Sequence, residues 1–261
     1  MTAILEVEGL TRRFGGLTAV DGLSFAVTEG EIRGLIGPNG AGKTTTFNVI
    51  SGYYPPTSGK VRFDGREIAG LAPHDIAALG LIRTFQQTTL FKELSVLENV
   101  LIGAHLHISP GLFPSLLGRA RTAEAEARKA ALETLAFFGL DDRRDELAST
   151  LPHGLQRALG MAVALMAEPR FLLLDEPFTG MNTEETREIM GLIRRVRDRG
   201  ITLLLVEHDM QAVMGLCDRI TVLNFGRLLT EGSPDEIRVD PAVIEAYLGA
   251  PYQAPDQIRA D

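Results

Sequence analysis

Apolar and polar residues alternate along "ILEVEGL" (residues 4–10) and "LSFAVTEG" (23–30), which predicts two short strands. "EIRGLIG" (31–37) reads instead as a continuous apolar run ending in glycine. Behind it, "PNGAGKTTTFNVISG" (38–52) sets Phe47, Val49 and Ile50 on a helix opened by a glycine-rich turn. "YYPPTSG" is a loop, and "KVRFDGREI" (60–68) predicts a strand and the turn of a hairpin.

From about Leu71 to Ala167 the pattern becomes mainly helical. "VLENVLIGAHL" has apolar residues at helical spacing, and "GRARTAEAEARKAALETLAFFGL" (118–140) is rich in strong helix formers whose charges suit a solvated face. Between them, "HISPGLFPSLL" (107–117) is apolar and aperiodic. It reads either as a loop packed on the body or as an exposed contact patch. Strand–helix alternation then returns through "FLLLDEP", "TREIMGLIRRVRDRG", "ITLLLVEHD", "QAVMGLCDRI" and "ITVLNFGRLLTEG". Apolar runs separated by amphipathic helices imply an α/β fold with a parallel sheet, into which the helical block is inserted.

Composition changes this picture little. With 45% apolar and 23% charged residues, the 261-residue chain is ordinary for a globular protein. A formal charge of −8 argues against nucleic acid as a partner. No apolar run approaches the roughly 20 residues of a membrane-spanning helix. "MTAILEVEGL" lacks the basic start and cleavage site of a signal peptide, so a cytoplasmic location is expected. The lone Cys217 cannot form an internal disulfide and reads as buried and inert.

Chemistry concentrates at three places. "GPNGAGKTT" satisfies G-x-x-x-x-G-K-[ST] through Gly37, Gly42, Lys43 and Thr44, between a predicted strand and a predicted helix. Glycines let the successive N–H groups of Asn39, Gly40, Ala41, Gly42, Lys43, Thr44 and Thr45, on the loop that Pro38 helps to shape, turn inward around phosphates at a helix N-terminus. Lys43 adds a cation for the β- and γ-phosphates, and the Thr44 hydroxyl can ligate Mg²⁺. In "FLLLDEP", Asp175 and Glu176 end an apolar strand: Asp175 to hold Mg²⁺, Glu176 to orient and polarise the attacking water. "LLLVEHD" ends another strand, and carboxyl strand ends are where α/β ligands gather, so His208 is expected beside the γ-phosphate.

These residues, in this order, resemble the ATP-binding subunits of ABC transporters over about residues 4–249. The resemblance implies a P-loop core with an antiparallel β-subdomain (4–85 and 168–249), an inserted helical subdomain (86–167) and a tail (250–261), with ATP and Mg²⁺ as ligands. Residue by residue, Phe14 takes the place of the aromatic that stacks on adenine, the alternative being a core phenylalanine. Gln86, with Gln87 one register away, matches the glutamine that reaches Mg²⁺ and the water. "TGMN" (179–182) stands at the dimer-contacting loop, with Asn182 in place of a more usual aspartate.

"RFGGLTAVDGLSF", "GLIRTFQQTTLFKELSVLENVLIGAH" and the ending "VIEAYLGA" narrow the resemblance to subunits serving branched-chain amino acid importers. The ATPase of lipopolysaccharide export is also similar. The implied partners are a second ABC ATPase subunit (homodimer or heterodimer), membrane permeases and a periplasmic solute-binding protein, with the chain peripheral on the cytoplasmic side of the inner membrane. Thr88–Leu94 and 107–117 are the expected permease contacts.

One segment departs from the pattern. The family closes a Leu-Ser-Gly-Gly-Gln-like turn of one subunit on the ATP of the other. In "LPHGLQ" Leu151 and Gly154 are kept, Pro152 replaces the serine, His153 is variable and Leu155 replaces the glutamine. Proline suits a first helical position, so the helix is expected to start there. The lost hydroxyl donor, worth about 1.5–3 kcal/mol, weakens closure about ten- to a hundredfold. His153 is positioned in sequence to compensate. Two functions follow: a working transport ATPase, or a regulatory nucleotide-binding subunit whose altered turn has removed hydrolysis.

Overall fold

The structure is a computed structural model and describes residues 2–84, 90–104 and 119–248, with backbone alone for 119–122 and 248. The chain forms two compact units, residues 1–73 with 203–261, and residues 74–202.

In the first unit the predicted short strands are long. β1 (Ala3–Phe14) and β2 (Leu17–Thr28) pair antiparallel along their whole length, turning at Gly15. Alternation is blurred because the ladder shifts register repeatedly, between Val7 and Leu10 and again on to Arg13. Each such bulge resets which face a side chain meets, so period 2 holds only in pieces. β4 (Ser58–Phe63) pairs with β1, and β5 (Arg66–Glu67) closes the predicted hairpin. Its turn is Asp64-Gly65, both at positive φ, the backbone that matches strand twist.

β3 (Ile32–Ile36) lies between β8 (Thr202–Val206) and β9 (Arg219–Asn224), parallel to both. β10 (Arg227–Gly232) joins β9 antiparallel. α1 (Lys43–Ile50), α7 (Met210–Leu216), α8 (Pro234–Val239) and α9 (Pro241–Leu248) complete this unit.

β3 is not uniformly apolar. Arg33 is 2% exposed and satisfied by Glu31 at 2.6 Å, Glu231 and Thr221 at 3.1 Å, and the Ala26 carbonyl at 2.7 Å. A guanidinium with its donors so occupied is tolerated in a core; removing one carboxylate would leave an uncompensated charge. Beside it, Gly34 admits Cys217, whose Sγ stands 3.0 Å from where a Cβ would be. Burial pushes that thiol well above its ordinary range, so it is the inert residue the sequence suggested.

The second unit contains α2 (Pro73–Ala78), β6 (Leu81–Thr84) and β7 (Phe171–Asp175), the strands being a parallel pair. α3 (Val96–Gly103), α4 (Arg119–Phe138), α5 (His153–Leu165) and α6 (Thr183–Arg197) pack around Leu135, Phe138, Leu159 and Ile193. α3 and α6 start on capping boxes, Ser95 with Glu98 and Asn182 with Glu185. α3 approaches α5 so closely that a Cβ on Gly103 would lie 2.1 Å from the Val163 carbonyl oxygen.

Candidate functional site: phosphate loop, acidic strand end and helix start

The first unit carries Phe14, the loop from Gly37 to Thr45, and His208. The second carries His153, Gly154, Asp175 and Glu176. Gln86 and Gln87, Thr88 and Thr89, residues 107–117 and the tail lie outside the described residues.

The phosphate loop links buried β3 to α1, with Gly42 as N-cap in the left-handed region and no side chain capping the helix. Its first-turn N–H groups therefore suit an anion. Gly37 is obligatory: a Cβ there would meet the Leu223 carbonyl oxygen at 2.2 Å. The Gly226 N–H donates to the Ala41 carbonyl at 3.0 Å, and the Tyr247 hydroxyl of α9 meets the Gly37 backbone. Lys43 Nζ donates to the carbonyls of Gly37 at 2.7 Å and Pro38 at 3.0 Å, so the cation is held within its own loop.

Phe14 is 38% exposed, not a core residue. It meets Tyr54 edge to face at 5.3 Å, and the Arg12 guanidinium sits 4.5 Å from its centroid. Arg12 is itself tied to the Pro55 carbonyl at 2.9 Å. The Arg12 cation thus lies over the Phe14 ring, with Tyr54 at its edge.

β8 delivers a polar turn. Buried Glu207 accepts the N–H groups of His208 at 2.9 Å and Asp209 at 3.3 Å, while Asp209 caps α7. This turn leaves the His208 imidazole 60% exposed, with Nδ1 3.7 Å from Glu207.

In the second unit, Asp175 closes β7 and is ion-paired to Arg83 Nη2 at 2.6 Å, both side chains being nearly buried. The next residue, Glu176, has φ 47, a strained value for a residue with a Cβ. Thr179 Oγ1 donates to its carboxylate at 3.1 Å. Asp64, Glu168 and Phe225 share this backbone region, and at Glu176 it belongs to the tight turn that follows β7, where the Thr179 N–H donates to the Glu176 carbonyl.

α5 corrects the expected helix start. Pro152 is its N-cap, at φ −54 and ψ 154, and His153 is the first helical residue. An extended ψ puts Pro152 outside the helix, so the proline replaces a capping side chain rather than an idle N–H. The Gln156 N–H still bonds the Pro152 carbonyl at 3.0 Å, and the Gln156 side chain donates to the Leu151 carbonyl at 2.8 Å. No side chain caps the first turn. His153 Cε1 comes within 3.6 Å of the position of a Gly180 Cβ, bringing this turn beside "TGMN". Asn182 keeps a structural task there, accepting the N–H groups of Glu184 and Glu185.

Arg12, Tyr54, Arg83 and Tyr247 were not singled out by the sequence, and the bond from Thr179 to Glu176 was not foreseen. Each acts through a partner distant along the chain or by turn geometry, for which periodicity has no signal.

Among the described residues no three His, Cys, Asp or Glu side chains cluster as a protein-only metal site. Mg²⁺ ordinarily takes one or two carboxylates with substrate phosphates and water, so the hard oxygens of Asp175 and Thr44 fit it in kind.

A loop of this make-up defines a nucleotide-binding ATPase, and comparison agrees. Residues 20–179 match the family model of the ABC transporter ATP-binding domain, to which the chain belongs. Residues 227–252 match the C-terminal model of branched-chain amino acid ATP-binding cassette transporters, placing the chain in that branch. It is 46% identical over 249 residues to the high-affinity branched-chain amino acid transport ATP-binding protein BraF of Pseudomonas aeruginosa (94% of this chain, 98% of the relative). Identity is 37% to the lipopolysaccharide export ATP-binding protein LptB of Acidithiobacillus ferridurans, over 97% of this chain and all of that one. Among solved structures, an ATP-binding cassette of an ABC transporter in its ADP conformation superposes at TM-score 0.85, 32% identical, over 95% of this chain and 100% of the other. A nucleotide-free cassette gives 0.83 at 32% identity, over 94% and 99%. The chain is therefore an ATPase of the ABC transporter class, with the α/β P-loop fold.

Proposed function

We propose that two ABC ATPase subunits, this chain being one, close around two ATP and power import of branched-chain amino acids, or a related small solute, through membrane permeases. A periplasmic binding protein supplies the solute, and the chain sits peripherally on the cytoplasmic side. Among the described residues no helix is long and apolar enough to cross a membrane. The observation that carries the reading is 46% identity along nearly the whole chain to a subunit of that transport class.

Phe14 stacks on adenine, and the N–H groups of Asn39–Thr45 with Lys43 hold the phosphates. Thr44, Asp175 and Gln86 would hold Mg²⁺, which when bound would neutralise charge on the phosphates. Glu176 accepts a proton from water as the water oxygen bonds the γ-phosphorus. The bond from phosphorus to the ADP oxygen breaks, giving ADP and phosphate. His208 donates to the γ-phosphate. From the second subunit, the α5 first turn, with His153 and Gly154, closes on the same phosphate.

The test is ATP turnover by the assembled transporter. Glu176→Gln is expected to lower it about 10²–10⁴-fold with nucleotide affinity kept. A second reading, a regulatory subunit with impaired hydrolysis, is favoured only by Pro152 standing where a hydroxyl is usual. Wild-type turnover no faster than that of the Gln variant would select it.

A further inference from the structure

The ion pair between Arg83 and Asp175 at the acidic strand end has no part in the roles above. Arg83 lies on β6 and Asp175 at the end of β7, in a parallel ladder that sets Arg83 opposite Leu173 and Thr84 opposite Leu174. Thr84 Oγ1 donates to the Leu173 carbonyl at 3.2 Å, tying down the end of β6. From there the guanidinium reaches Asp175 Oδ2 at 2.6 Å, with side-chain exposures of 10% and 5%. A carboxylate so buried demands a cation or several donors. A metal ligand needs its cation only part of the time, when a metal-bearing nucleotide is present.

We infer that Arg83 is a positioning residue serving as a built-in cation, neutralising and aiming Asp175 in the nucleotide-free chain so that a divalent metal is captured only together with nucleotide. This rests on Asp175 being a metal ligand. Guanidinium suits the task because it is planar, permanently charged and weakly hydrated, and so is held at a fixed angle to the carboxylate.

The test uses Mn²⁺ in place of Mg²⁺, titrated into the full chain and read by electron paramagnetic resonance, with and without a non-hydrolysable ATP analogue. Wild type is expected to bind Mn²⁺ well only with the analogue. In Arg83→Gln, nucleotide-free Mn²⁺ affinity is expected to rise about tenfold or more, because the buried carboxylate has lost its counter-charge. A folded Arg83→Gln with wild-type nucleotide-free affinity overturns the inference. Should that variant not fold, Arg83→Met decides, a neutral side chain of similar length. A rise of about tenfold supports the inference, and an unchanged or weaker affinity overturns it. Asp175→Asn separates the two levels. If it leaves Mn²⁺ binding with the analogue intact, the metal-ligand reading of Asp175 falls, whatever Arg83 does.

Discussion

The phosphate loop and the "LPHG" turn are both helix starts suited to phosphate, yet they tolerate change very differently. At Gly37 a Cβ would strike a backbone carbonyl at 2.2 Å, and at Gly42 another at 2.5 Å. At Gly154 the nearest atom to a Cβ would be a Glu185 side-chain carbon at 3.6 Å, ordinary contact. The loop is wedged against Ala19 of β2, Leu223 of β9, the turn at Gly226 and Tyr247 of α9, so its sequence is dictated by its neighbours as much as by its ligand. The turn has space around it. Pro152 and Leu155 are accommodated there, and what Pro152 gives up is a side-chain cap on α5.

The sharpest way to break that comparison is Gly37→Ala. Overlap with the Leu223 carbonyl is expected to abolish nucleotide binding, measured with a fluorescent ATP analogue, and to lower the melting temperature by many degrees. Normal binding would show that the loop is not wedged. Next in size is Pro152→Ser. If the missing hydroxyl is what weakens closure, ATP-dependent dimerisation of the Glu176→Gln background tightens about tenfold. If the serine merely caps α5, stability rises by about 1 kcal/mol with dimerisation unchanged. Arg12→Ala should weaken ATP affinity about two- to fivefold, since a cation–π contact holding Phe14 is worth about 0.5–1 kcal/mol when exposed. An unchanged affinity would remove Arg12 from the adenine platform. The smallest effect belongs to Gly154→Ala. Alanine in the first turn leaves the melting temperature within a few degrees of wild type, because helix propensity gains at most about 1 kcal/mol. A large loss would mean that the turn is as constrained as the loop.

The phosphate loop was readable because its chemistry is local: glycines, lysine and threonine at fixed spacing, between an apolar strand and a helix. The placement of Asp175 and Glu176 at the end of β7 was readable for the same reason, as acids closing an apolar run. The 12-residue lengths of β1 and β2 were not, since bulges scramble alternation. Nor was Arg33, which looked like an interruption in a buried strand and proved to be the centre of an ion-pair network. The status of Pro152 turned on one ψ angle, a quantity composition does not carry.

By itself, then, the sequence determined the class of protein, the strand–loop–helix that meets phosphate, the acids and histidine at strand ends, and the identity of the odd turn. Those features repeat at short range, and short-range spacing is what a chain displays directly. Tertiary structure alone decided that Arg83 covers Asp175 and that Arg12 and Tyr54 brace Phe14. It also decided that Gly37 is locked while Gly154 is not. Each of these depends on which distant backbone passes within a few ångströms, and that is settled only when the strands have paired.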